Sequence, residues 1–265
     1  MDTLVEGVHF DERLSPADVG YKAVAVSVSD MAAMGARPMW MVVALSVPPT
    51  FEHIDALAEG VALACREYSV GLAGGDTTRS PGPLVIGVTM MGCTDSPALR
   101  SAARPGDDVW VTGTPGLAGA GYLMTSPPEA ALAALRRPRP PVALAQALVA
   151  QGLVHAMMDL SDGLAADAPR IARASGVSLH ITASALPVHP ALPADEAVHY
   201  ALVGGDDYEL LFTAPTTSRD AIAQLAETEQ IRVSRIGRVH NGEGCILDDR
   251  PWPQPAFSHF DAEAS

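Results

Sequence analysis

Met158-Asp159-Leu160-Ser161-Asp162-Gly163-Leu164 is the stretch around which the chain is organised. A short apolar run, Val154 to Met158 broken by His155, leads into it. After it, Leu164, Ala165, Ala168, Ile171 and Ala172 fall at helical spacing, so Ser161 or Asp162 is expected to cap a helix. A cap accounts for one carboxylate, and for an isolated Ser-Asp-Gly it would be explanation enough. Asp159 is a second carboxylate three residues upstream, and two so close repel unless a cation lies between them. Hard cations such as Mg²⁺ take such oxygens, usually with phosphates completing the shell.

The surrounding composition limits the function classes. The chain has 265 residues, 48% of them hydrophobic, with Gly and Pro throughout, which suits one large α/β domain or two modest ones. No apolar run reaches the length of a membrane span and no charged-then-apolar leader opens the chain, so a soluble, cytoplasmic protein is expected. Cys65, Cys93 and Cys245 are far apart and odd in number, which indicates neither zinc nor a disulfide framework. A net charge of −14 argues against nucleic acid, whose phosphates need a basic face. Lys22 is the only lysine and lacks the glycine-rich setting of a P-loop. Any nucleotide here would have to be held by metal ions and arginine.

Outward from the centre, residues 1–10 read as a strand and Ser15-Pro16-Ala17-Asp18 as a turn. Residues 21–35 read as a helix stopped at Gly35, and residues 39–47 as a buried strand. Ile54, Leu57, Ala58, Val61, Cys65 and Tyr68 form one stripe of a helix over 51–68, with Thr50 as its cap. The glycine-rich Gly71–Arg79 follows, then a strand over 84–93. Residues 95–106 read as a seam carrying Arg100 and Arg104. Beyond it come a strand over 109–112, a glycine-rich helix start over 114–124 and a solvated Pro/Arg connector over 136–141. Strands over 177–181, 210–213 and 231–239 and helices over 196–203 and 217–228 complete the reading.

Acidic residues recur where elements meet loops: Asp2, Asp30, Asp76, Asp159 with Asp162, and Asp206-Asp207-Glu209. Each alone is an ordinary cap or turn residue. Beside Gly74-Gly75, whose backbone N–H groups could approach phosphate, they suggest a metal–phosphate site.

Five segments in order carry a resemblance: Asp2-Thr3-Leu4-Val5-Glu6-Gly7-Val8-His9-Phe10, Ser29-Asp30-Met31-Ala32-Ala33-Met34-Gly35-Ala36-Arg37-Pro38, Gly74-Gly75-Asp76-Thr77-Thr78-Arg79, Asp159-Leu160-Ser161-Asp162-Gly163-Leu164, and Gly204-Gly205-Asp206-Asp207-Tyr208-Glu209-Leu210-Leu211-Phe212. In these the chain resembles the thiamine-monophosphate kinase family, within the superfamily of aminoimidazole ribonucleotide synthetase and selenophosphate synthetase. The resemblance implies an α+β fold of two domains. Residues 1–95 would form a mixed sheet with helices that binds ATP and Mg²⁺ and pairs in a homodimer; residues 96–265 would form an α/β domain completing the active site. It implies ATP-dependent phosphorylation of thiamine monophosphate to the diphosphate. It implies Asp2, Asp30, Asp76, Asp159 and Asp162 as Mg²⁺ ligands, and Gly75, Asp76, Arg100 and Ser161 as nucleotide contacts. His9, Asp206 and Phe257 would meet the substrate, Phe257 by stacking.

The family pattern begins earlier, with a Gly-Asp-Asp segment that supplies a further metal ligand, so a chain shortened at its start and an incomplete metal site are expected. Asp206 stands where the family usually has Glu, one methylene shorter. Read on their own, Asp30 is equally a water-facing helix residue, His9 a strand histidine and Phe257 a lid over the core; Tyr208 and Glu209 read as packing. Another ATP-using synthetase of the superfamily, or a catalytically impaired nucleotide-binding form, is the alternative. The acceptor is a phosphate monoester with a second ionisation at about 6, so a strong general base is unnecessary. In agreement, the sequence offers no Ser–His–Asp arrangement.

Overall fold

Ser15-Pro16 opens a helix, not a turn. In this computed structural model, which describes residues 1–254, the Ser15 hydroxyl accepts from the Asp18 backbone N–H at 3.2 Å and Pro16 takes the first helical position. Helix α1 (Pro16–Ala33) thus starts five residues earlier than expected. Its length is buried almost throughout, Lys22, Ser27 and Ser29 included, because it runs between two sheets.

The first sheet is mixed, with strand order β1-β4-β2-β3. Strand β1 (Asp2–Val5) is antiparallel to β4 (Val85–Cys93), β4 is antiparallel to β2 (Arg37–Val47), and β2 is parallel to β3 (Gly71–Arg79). Strand β3 carries no apolar alternation; its place is set by backbone pairing to β2. Helix α2 (Ile54–Glu67) packs on α1. Gly20 and Gly60 permit that approach: a Cβ on Gly60 would lie 1.9 Å from the Ala17 carbonyl oxygen, and one on Gly20 2.1 Å from that of Leu57. The stripe residues Leu57, Val61 and Ala64 are buried as the periodicity requires. Thr50 is not the cap; the helix begins at Ile54 after His53, with no side-chain cap.

Alternation along β2 buries Met41 and Leu45 toward the helices. The opposite face of this sheet leaves Trp40 52%, Leu72 56% and Met91 47% exposed.

The second sheet has seven strands in the order β11-β10-β7-β9-β5-β8-β6. These are β5 (Asp108–Thr112), β6 (Ala156–Leu160), β7 (Ser178–Ile181), β8 (Glu209–Ala214), β9 (Val233–His240), β10 (Gly244–Leu247) and the short β11 (Arg250–Pro251). Among the described residues of this sheet, only β10 and β7 pair in parallel. Its helices are α3 (Leu117–Leu123), α4 (Glu129–Arg136), α5 (Val142–Ala150), α6 (Leu164–Ser175), α7 (Ala197–Val203) and α8 (Arg219–Glu229). One face packs beneath α6 and α7 through Met158, Leu160, Ile171 and Leu211. On the other, Trp110, Met157 and Phe212 meet α5, α8 and the end of α1 at Ala32 and Ala33.

The 136–141 connector is not merely solvated. Arg136 Nε donates to the Arg13 carbonyl at 2.8 Å and Arg137 Nε to Asp18 Oδ1 at 2.7 Å, tying the α4–α5 turn to the first half. No helix among the described residues is long and apolar enough to cross a membrane.

Candidate active site

Strand β6, buried along its whole length, delivers Asp159 to the seam between the halves. Its partner comes from α1: Ser29 Oγ donates to Asp159 Oδ2 at 2.7 Å. Two residues earlier on the helix, Ser27 Oγ donates to Asp2 Oδ2, also at 2.7 Å. Asp30, the next residue on α1, is more open to water.

Burial pushes the Asp159 carboxyl up to about 6 against the Ser29 hydrogen bond, and the charges of Asp30 and Asp2 push the same way. Asp2 is raised by burial first and by Asp30 second. Three acids from β1, α1 and β6 therefore sense one another across the seam.

The turn after β6 differs from the expected cap. Helix α6 starts at Leu164 behind Gly163, whose φ of +89° favours glycine, and no side chain caps it. Asp162 instead meets Arg170 Nη2 at 2.5 Å and accepts from Ser161 Oγ at 3.3 Å. Asp167, unexpected from the sequence, accepts from the Asp162 backbone N–H at 3.0 Å and also binds Arg170. Burial first, then the charge of Asp162, pushes Asp167 up to about 7.

A cavity of about 510 Å³ opens at this seam. Asp2, His9, Asp30, Arg100, Asp159, Ser161, Asp162 and Asp206 all line it, contributed by both halves of the chain. The ring of His9 accepts from the Val5 backbone N–H at 3.1 Å through Nδ1. Two tyrosines that the sequence did not mark as site residues, Tyr122 and Tyr208, line it too.

Asp206 follows Gly204-Gly205 in a tight loop before β8. Its Oδ2 lies 2.9 Å from Lys22 Nζ and its Oδ1 accepts from the Tyr208 hydroxyl at 3.0 Å. Asp206 and Tyr208 both hold positive φ, +66° and +53°, a conformation that costs about 1–3 kcal/mol per non-glycine residue. Lys22 escapes a motif search because it is not in a P-loop. Its signal is different: one lysine inside an apolar helix must find a buried partner.

Gly75 and Asp76 are not brought to the cavity. They sit on exposed β3 at the far edge of the first sheet, with Asp76 opposite Ala44. Phe257 lies outside the described residues. Among those described, no three acidic, His or Cys side chains close into a metal-holding group. The oxygen-only set of Asp2, Asp30 and Asp159, mutually repelled, nonetheless fits Mg²⁺ in character, since that ion binds through one or two carboxylates plus phosphate.

Residues 1–94 match the family of the AIR synthase related protein N-terminal domain, and residues 104–250 its C-terminal domain. The thiamine-monophosphate kinase of Salmonella typhimurium is 39% identical over 98% of this chain and 85% of its own length. That of Aquifex aeolicus is 35% identical over 98% and 86%. A crystal structure of thiamine-monophosphate kinase from Stenotrophomonas maltophilia K279a superposes with a TM-score of 0.87 at 42% identity, covering 94% of this chain and 84% of that one. A structure described as AaThiL complexed with AMPPCP and TMP gives 0.83 at 34%, covering 96% and 84%.

Proposed function

This chain belongs to the thiamine-monophosphate kinase family, among the AIR synthase related proteins, and we propose that its seam cavity moves the terminal phosphoryl group of ATP onto the phosphate of thiamine monophosphate. The observation that carries the reading is the meeting of Asp2, Asp30 and Asp159, from both halves, in one cavity with Arg100 and Asp206. A cavity so acidic repels polyphosphates unless cations enter with them.

In the transfer, an acceptor phosphate oxygen forms the new P–O bond as the bond to the departing ADP oxygen breaks. The acceptor is mostly unprotonated at neutral pH, since its second ionisation lies at about 6. No side chain has to remove a proton first, and direct transfer without a phosphorylated protein follows. Asp2, Asp30 and Asp159 would hold Mg²⁺, with Asp162 beside them once Arg170 yields. When bound, the ion offsets the charge between donor and acceptor phosphates. Arg100 and Ser161 face the nucleotide phosphates, while His9 and Asp206 face the thiamine moiety.

Gly75 and Asp76 enter this scheme through a second copy. The bare apolar face of the first sheet, with Trp40, Leu72 and Met91, suits pairing between two N-terminal halves. Such a homodimer would carry the β3 residues of one copy toward the cavity of the other. We assign residues 1–95 to that pairing and nucleotide-binding domain and residues 96–265 to the domain completing the site, in a cytoplasmic enzyme.

The test is a substrate panel. With ATP and Mg²⁺, thiamine monophosphate should yield thiamine diphosphate with matching ADP, and other phosphate acceptors should yield none. ADP release without thiamine diphosphate would reject the assignment.

A further inference from the structure

The chain's one lysine has no exposed surface at all. Lys22 Nζ lies 2.9 Å from Asp206 Oδ2 and 3.4 Å from the His9 carbonyl oxygen, so its contacts reach two segments that wall the cavity. An ammonium taken fully out of water is tolerated only beside a counter-charge, and Asp206 is that counter-charge.

The loop bearing Asp206 is held from two directions. From the end of β6 and the turn after it, the carbonyls of Leu160 and Ser161 accept from the backbone N–H groups of Tyr208 and Asp206, each at 2.8 Å. From α1 comes the Lys22 ammonium, and the Tyr208 hydroxyl takes the other carboxylate oxygen. Left-handed backbone at an aspartate and a tyrosine persists only where the surroundings over-determine it. An ionised carboxylate has about four acceptor positions, of which these two partners occupy two. The remaining lone pairs belong to a group whose charge Lys22 already balances. Asp206 therefore meets a ligand as an oriented hydrogen-bond acceptor and not as a free anion.

Resting on the kinase reading above, we propose that Lys22 is a positioning residue for the thiamine half of the cavity: it fixes Asp206 so that its free lone pairs accept hydrogen bonds from N–H or O–H groups of the acceptor substrate. Asp206 is within reach of the ammonium across the seam. Lys22 touches no substrate itself.

The experiment compares Lys22→Met, Asp206→Asn and the double variant, which removes both charges of the pair and so leaves no buried ammonium unpartnered. Each single change should raise KM for thiamine monophosphate about tenfold and leave KM for ATP within about twofold. The double variant should be no worse than the poorer single, because the two residues act as one unit. Lys22→Arg, which keeps the charge, should recover part of the loss. Independently of any substrate, hydrogen exchange of the 204–208 amides should quicken in Lys22→Met while β6 keeps its protection.

Defects that multiply in the double variant, equal rises in both KM values, or unchanged exchange at 204–208 would overturn the proposal. A wild-type chain inactive on thiamine monophosphate would reject the kinase reading instead, and the exchange measurement would still decide the role of Lys22.

Discussion

Glu209 shows what a single residue can conceal. It follows Asp206 in the same acidic cluster yet faces away from the acceptor cavity, taking a hydrogen bond from the Thr112 hydroxyl. Burial pushes it up to about 7 from an ordinary 4.5, with that hydrogen bond opposing. A raised carboxyl favours the fold while protonated: its contribution is complete below pH 4.5 and is lost as pH rises through about 7. Glu209→Gln should therefore be the more stable protein at pH 8, by on the order of 2 kcal/mol, with the difference gone by about pH 4. Urea melts at the two pH values measure it. The acids of the site were legible as residue types at element ends, and Asp2, Asp30, Asp159 and Asp162 do line one cavity. Their partners were not. Ser29 and Ser27 looked like ordinary polar positions, and Arg170 gave no sign of gripping Asp162, because these pairings span distant parts of the chain or a turn whose path no motif states.

At the scale of elements, periodicity served where side chains decide burial. The α2 stripe is an example, although its start was misplaced because Thr50 looked like a better cap than His53. Strand β3 lay beyond such reasoning: glycines and polar residues are held there by the β2 backbone, and every residue but its first is exposed. Helix α5 follows Pro140-Pro141 and is apolar all round, so it offered little contrast between faces; α4 has a polar and an apolar side but only eight residues, wedged between prolines. One contact was visible only in three dimensions, the crossing of α1 and α2 over Gly20 and Gly60. Gly60→Ala would drive a methyl group into the Ala17 carbonyl. Despite the better helix propensity of alanine, it should destabilise the fold by about 1–3 kcal/mol, read as a lower midpoint in thermal melts. A rise in the midpoint would mean that the helices can separate at little cost.

The whole molecule is two sheets joined by a helix that belongs to both. The α+β class followed from the order of elements and from a resemblance spread over the chain. That Asp76 stands away from the cavity within one copy did not, since sequence separation says nothing about which copy supplies a residue. If pairing brings it to the other copy's cavity, Asp76→Asn and Asp159→Asn subunits should complement. Each alone should be nearly inactive. Mixed after unfolding and refolding together, half the dimers would be hybrids with one intact site of two, restoring roughly a quarter of the native rate. Absence of any recovery would place both aspartates in the same copy's site. If the bare face pairs two copies, Leu72→Glu should shift the protein to a single-copy mass in analytical ultracentrifugation.

The sealed ammonium of Lys22 withdraws the chain's one side-chain amine from acylating reagents while the fold holds. Every other basic side chain that could be tagged is a guanidinium or an imidazole. A dye ester should leave residue 22 untouched for as long as the two halves stay docked and modify it once they part. The yield of tagged tryptic peptide over time then becomes a clock for global opening, with a single hand and no background from other lysines.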